Sequence, residues 1–217
     1  MLPLKGFRCR ASNREGPIVA PTVKVSLPVV MGVALLLTGA AVTGLRGQAP
    51  TTFVVESPTM TTGRFMPRDY SPDGRNLSPP LTWSGLPAGT RQVAVISQDF
   101  GAGRPPPWVH WIIYNIPGDA GGLPEGIPFD PDHPMPAEIA GAVQGNNGWG
   151  LPAYRGPAPP LGSVHNYHFA VFALDEALDL PPGLDRGELL LAIEGHVIGQ
   201  GDMVPLYERQ PMNQFPR

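Results

Sequence analysis

The chain has 217 residues, with 15 Lys and Arg against 18 Asp and Glu and a formal charge of −3, enough for one domain of ordinary size plus an extension. Its single cysteine, Cys9, lies near the N-terminus, which excludes internal disulfides, thiolate zinc sites and a cysteine nucleophile from the rest of the chain. The 29 prolines and 27 glycines are scattered between apolar runs without a repeat, a composition that suits a loop-rich β domain and forbids long helices.

Residues 1–24 carry Lys5, Arg8, Arg10, Arg14 and Lys24 against only Glu15, and the uncharged run VSLPVVMGVALLLTGAAV (25–42) follows. A basic segment, an apolar stretch and then small residues form a secretory signal pattern. Residues 1–49 are therefore read as a targeting segment and 50–217 as an exported domain, periplasmic or extracellular. An uncleaved anchor is the alternative, because the apolar run lies at the lower length limit for a membrane span. Removing 1–49 takes away six basic residues (those five and Arg46) and one acidic residue, leaving 9 basic against 17 acidic, a formal charge of −8 and no lysine. Such a domain is repelled by phosphate backbones and anionic bilayers, which argues against nucleic-acid binding and bulk membrane association.

Six strands are predicted in the remainder: FVVES (53–57), LTWSG (81–85), QVAVISQD (92–99), VHWIIYNI (109–116), NYHFAVFALD (166–175) and HVIGQGDMVPLY (196–207). In the runs at 92–99, 109–116 and 166–175 both alternating faces are largely apolar, as in central strands covered on both sides. One helix is predicted from Asp185, with Glu188 as capping-box partner and Gly195 as C-cap. Residues 122–163 form a long turn-rich connection, in which Trp149, Tyr154 and the neighbouring glycines are expected to order a loop and bring backbone near a ligand.

The chemistry-bearing residues lie at strand ends. Asp99 closes one run, His110 opens the next, and His165 and Tyr167 open the fifth. Residues two apart in a strand share a face, so His165 and Tyr167 point together while Asn166 and His168 point opposite. The same geometry argues against metal binding by HNYH, whose histidines lie three apart. Taken singly, Asp99 reads as a strand-end cap and His110 as a structural histidine. Together they suit a small polar pocket in apolar walls. No G-x-S-x-G elbow or G-x-G-x-x-G loop is present, and no cofactor is expected. A hydrolase using His110 and Asp99 for acid–base work stays open as an alternative.

Four blocks in order resemble the phosphatidylethanolamine-binding protein family, specifically its bacterial Raf-kinase-inhibitor-like branch: SPDGRNLSPPLTWSGLP (71–87), QDFGAGRPPPWVHWIIYNIP (98–117), NGWGLPAYRGPAPPLGSVHNYHFAVFALD (147–175) and LLLAIEGHVIGQGDMVPLYER (189–209). The resemblance implies a mainly β fold, a large sheet packed against a smaller one with few short helices. It also implies a pocket for a phosphate-containing or similar anionic ligand such as a phospholipid headgroup. Ligand contacts are expected from Asp99, His110, Tyr154, Gly156, Pro159, Pro160, His165 and Tyr167, with imidazole and phenol groups donating to phosphate oxygens. The alternative partner is a protein target, with the chain acting as an inhibitor of a protease or another envelope protein. Two departures stand out. The family's D-P-D-A-P reads Asp99-Phe100-Gly101-Ala102-Gly103, and its N-D-F-G reads Asn147-Gly148-Trp149-Gly150. Glycines in place of prolines are expected to loosen the pocket rim.

Overall fold

The computed structural model describes residues 50–103, 107–128 and 133–210, so the predicted targeting segment and anchor lie outside the described residues. The strands in chain order are β1 (Thr51–Thr52), β2 (Val54–Glu56), β3 (Leu81–Ser84), β4 (Gln92–Asp99), β5 (Trp108–Pro117), β6 (Gly122–Leu123), β7 (Val143–Gly145), β8 (Val164–Leu174), β9 (Val197–Met203) and β10 (Leu206–Glu208). One α-helix, α1 (Arg186–Ala192), lies between β8 and β9. The larger sheet has the order β1-β9-β8-β4-β5-β7, with β10 also pairing β8, and the smaller sheet has the order β2-β3-β6. Among the described residues no helix is long and apolar enough to cross a membrane.

β4 shows why the larger sheet is central. All eight of its residues are buried, because both of its faces are covered. Val93 and Val95 join a core that contains Phe53, Val55, Leu81 and Trp83 of the smaller sheet and its approach. Ala94 and Ile96 face the other way, into a second core closed by Leu189 and Ile193 of the α1 segment. Helix α1 begins as predicted: Asp185 accepts from the Glu188 amide at 2.9 Å, and Glu188 accepts from the Asp185 amide at 2.9 Å. Leu189, which is fully buried, contributes on the order of 2 kcal/mol by leaving water.

Three elements differ from the sequence reading. The run at 196–207 is two strands. β9 pairs with residues 169–174 of β8, and β10 pairs with residues 164–166 of the same strand, the chain stepping along β8 at Val204–Pro205. Proline has no amide to donate to a ladder, so a break there costs little. The turn-rich connection contains β6, β7 and a 3₁₀ turn at Ala137–Ile139, each too short to show a period of its own. The helix C-cap is Ile193; Gly195 lies two residues later at φ 86°, where the left-handed backbone that favours glycine turns the chain into β9.

The pairing of β4 with β5 slips at two places, one of them at His110. Ser97 pairs with Trp111 and Gln98 with Val109, so His110 is an extra, unpaired residue. Such a bulge reverses the alternation on one strand. Val109 accordingly packs in the second core while Trp111, two residues on, packs in the first.

Candidate functional site

Antiparallel pairing brings three strand ends together. Asp99 lies opposite Trp108 of β5 on one side and opposite Tyr167 of β8 on the other, so the last residue of β4 meets the first turns of both neighbours. The pocket there has a volume of about 490 Å³, within the range of small-molecule sites. Its floor is Asp99, His110, His165 and Tyr167, and its walls include Trp108, Trp149, Pro159 and Pro160. Gly101, Ala102 and Gly103 form part of the rim.

Asp99 is 3% exposed and fully engaged. Its Oδ2 lies 2.7 Å from His165 Nδ1, and its Oδ1 accepts from the Gly101 amide at 2.7 Å. Tyr167 also hydrogen-bonds to this carboxylate. A carboxylate only accepts, so Nδ1 of His165 carries a hydrogen and the phenol hydrogen of Tyr167 points at Asp99. Burial, and then the negative charge of Asp99, push the Tyr167 phenol well above its usual range, so it keeps its proton. The imidazole bonded to Asp99 is that of His165.

His110 is held by the loop that follows Trp149. Its Nδ1 lies 2.7 Å from the Arg155 carbonyl oxygen, and the Arg155 amide donates to the His110 carbonyl at 3.0 Å. The carbonyl can only accept, so Nδ1 carries the hydrogen. Burial lowers the pKa of His110 below the ordinary imidazole value, outweighing the Arg155 carbonyl and Asp99, which both favour the charged form. The ring packs edge-to-face on Tyr167 at 5.1 Å and on Trp149 at 5.4 Å.

Six of the eight expected contact residues, Asp99, His110, Pro159, Pro160, His165 and Tyr167, line one pocket. Tyr154 and Gly156 do not. The Tyr154 hydroxyl donates to the Tyr70 carbonyl at 2.7 Å, and the Gly156 amide donates to Asn76 Oδ1 at 2.9 Å. A Cβ at Gly156 would stand 1.9 Å from the Tyr70 oxygen, so this glycine exists for close backbone approach. Both residues dock the loop bearing Arg155 and the proline pair onto residues 70–76. They support the wall from behind, and neither is on its surface.

The two departures from the family pattern also acquire a reason. A Cβ at Gly101 would press on Asp99 Oδ1 at 3.2 Å and on the His165 ring at 3.3 Å, and the Gly101 amide is pinned to Asp99. Glycine here serves close packing as well as freedom. At Gly148 a Cβ would meet the Trp108 ring at 2.8 Å, so the missing side chain makes room for a pocket wall. Trp149 is 37% exposed, packs edge-to-face on Trp108 at 5.1 Å, and carries the Arg155 guanidinium 4.4 Å from its ring centre. Trp108 was missed as a wall residue in the sequence reading; its place two residues before His110, ahead of the bulge, was the available signal.

His168 lies on the opposite face of β8, paired with Asp202 at 3.0 Å and touched by the Phe100 ring. Among the described residues, no group of three or more His, Cys, Asp or Glu is placed to hold a metal ion.

Comparison with known proteins places this architecture. A family model described as phosphatidylethanolamine-binding protein matches residues 56–208. A UPF0098 protein of Methanothermobacter thermautotrophicus is 44% identical over 144 residues, covering 66% of this chain and 91% of the relative. A UPF0098 protein of Pyrococcus horikoshii is 38% identical over 193 residues, covering 88% of this chain and 93% of the relative. Similar crystal structures include two proteins described as members or homologues of this family. The phosphatidylethanolamine-binding protein homologue CT736 of Chlamydia trachomatis has a TM-score of 0.63 and 31% identity over 74% of this chain and 99% of its own. YbcL of E. coli, described as a member of the mammalian family, has a TM-score of 0.66 and 30% identity over 73% and 99%.

Proposed function

Because this chain belongs to the phosphatidylethanolamine-binding protein family, we propose that it is an exported, non-enzymatic protein that binds a small phosphate-bearing ligand in the pocket at the ends of β4, β5 and β8. The observation that carries this reading is the convergence of Asp99, His110, His165 and Tyr167 on one cavity with apolar walls. Two imidazoles fixed by hydrogen bonds to Asp99 and the Arg155 carbonyl present their remaining ring nitrogens at defined positions. Trp108, Trp149 and Pro159 leave room beside that polar floor for the organic part of an ester.

Binding without turnover is favoured by the lining itself. Among the described residues that line the pocket there is no Ser, Thr or Cys to act as nucleophile, and the Tyr167 hydroxyl is committed to Asp99. Export is supported by the basic and then apolar order of residues 1–42. The test is calorimetric titration of the full chain with phosphoethanolamine. His165→Ala is expected to weaken binding at least about tenfold, or 1.4 kcal/mol, while the protein still melts cooperatively. Undiminished affinity in that variant removes the pocket as the site. Steady release of inorganic phosphate by the wild type, lost in Asp99→Asn, would replace binding with hydrolysis.

A further inference from the structure

We propose that His110 determines the specificity of this pocket, selecting a phosphate ester that still carries a hydrogen over an anion of the same size and charge that carries none. The inference rests on the phosphate reading above and names the ligand form that the site accepts.

His110 Nδ1 is bonded to the Arg155 carbonyl at 2.7 Å, an oxygen that can only accept, so in the neutral ring the hydrogen is on Nδ1 and Nε2 holds a lone pair. The Arg155 amide bonds back to the His110 carbonyl, so the ring and the loop hold one another in place. His165 is oriented in the same way, with Nδ1 on Asp99. The Tyr167 hydrogen is engaged with Asp99 as well. No Lys or Arg is among the described residues lining the pocket. His110 therefore offers an acceptor where a fully ionised oxyanion requires donors.

The charged and titratable groups around His110 come from three directions. Asp99 at the end of β4 favours a proton on the ring, and the Arg155 guanidinium from the loop opposes it. His165 and Tyr167 come from β8, with Tyr167 in ring contact with His110. Burial at 4% exposure prevails and keeps the imidazole neutral in the empty site. A P–O–H group resolves the mismatch: its hydrogen goes to Nε2 of His110, and the remaining oxygens keep the single negative charge. Monoesters lose that hydrogen with a pKa of about 6, so a doubly charged monoester must take up one proton on binding. Sulfate esters have no such hydrogen near neutral pH. Sites built to accept a ligand hydrogen can reject the analogue without it by about 10⁴. His110 can itself take a proton, so a smaller factor is expected here.

Methyl phosphate and methyl sulfate are the probes, titrated calorimetrically into the full chain between pH 5.5 and 8. At pH 7 methyl phosphate should bind at least about tenfold tighter. Its affinity should fall toward about tenfold per pH unit between pH 7 and 8, with uptake of about one proton seen as a difference in heat between two buffers of unlike ionisation enthalpy. His110→Gln, whose amide can donate or accept, should lose the preference. The proton count on the wild type needs no variant and stands if that substitution fails to fold. Equal affinities for the two esters, or binding without proton uptake at pH 8, overturns the inference and leaves the phosphate site intact. Failure of both esters to bind at any pH in the range overturns the site and the inference together.

Discussion

His165 and His168 lie three residues apart on β8 and each meets an aspartate through Nδ1, yet the two pairs are physically unlike. His165–Asp99 spans 2.7 Å with side chains 14% and 4% exposed; His168–Asp202 spans 3.0 Å with side chains 30% and 38% exposed. In the first, water has been replaced by a closed set of donors to Asp99: the Gly101 amide, His165 and Tyr167. In the second, solvent competes with every contact, and a pair of that kind contributes little to stability. One strand thus carries the same two residue types as a fixed pocket floor on one face and as a solvated cross-strand pair on the other.

The largest expected contrast is between the two aspartates. Asp99→Ala leaves a largely buried imidazole at 14% side-chain exposure and a buried phenol without their acceptor and should cost about 3 kcal/mol, whereas Asp202→Ala should cost less than about 1 kcal/mol. Urea unfolding of the two variants measures both, and equal losses would break the comparison. Next is Tyr167→Phe, which removes one buried donor to Asp99 and should cost about 1–2 kcal/mol, against about 0.5 kcal/mol or less for Asn166→Ala on the exposed face.

A smaller effect appears as pH dependence. His110 has a lowered pKa in the folded state, so the unfolded chain binds its proton first as the solution is acidified. Above about pH 6.5 the ring is neutral in both states and contributes no pH dependence; below that value stability falls until the folded-state pKa is passed. The stability difference between wild type and His110→Gln should therefore shrink between pH 7.5 and 5. A constant difference would mean that His110 titrates alike folded and unfolded. Smallest is His168→Ala, expected to change stability by under about 0.5 kcal/mol and to leave phosphate-ester affinity untouched, which a single titration checks.

Much of the scaffold was legible before folding was considered. β4 was bounded at its two ends by sequence pattern because a strand covered on both faces is an uninterrupted apolar run, and Asp185 with Glu188 announced the helix start by capping chemistry alone. The shared face of His165 and Tyr167 followed from a period of two, and both residues do line the pocket. His110 could not be placed that way, because the bulge between Val109 and Trp111 breaks the period at that residue. Tyr154 and Gly156 belong to the same motif as the proline pair, but the motif does not say which of its members face the pocket and which face Tyr70 and Asn76.

A mainly β protein of this family, with its polar residues at strand ends, was readable from the amino-acid order, since residue periodicity, caps and motif order are local properties of the chain. The pairing of Asp99 with His165, the hold of the Arg155 carbonyl on His110 Nδ1, and the walls made by Trp108 and Trp149 came from the three-dimensional arrangement alone. Those facts depend on which strands are neighbours and on where a ladder slips by one residue. Local sequence does not specify either, because strand pairing and burial are set by contacts between segments far apart in the chain.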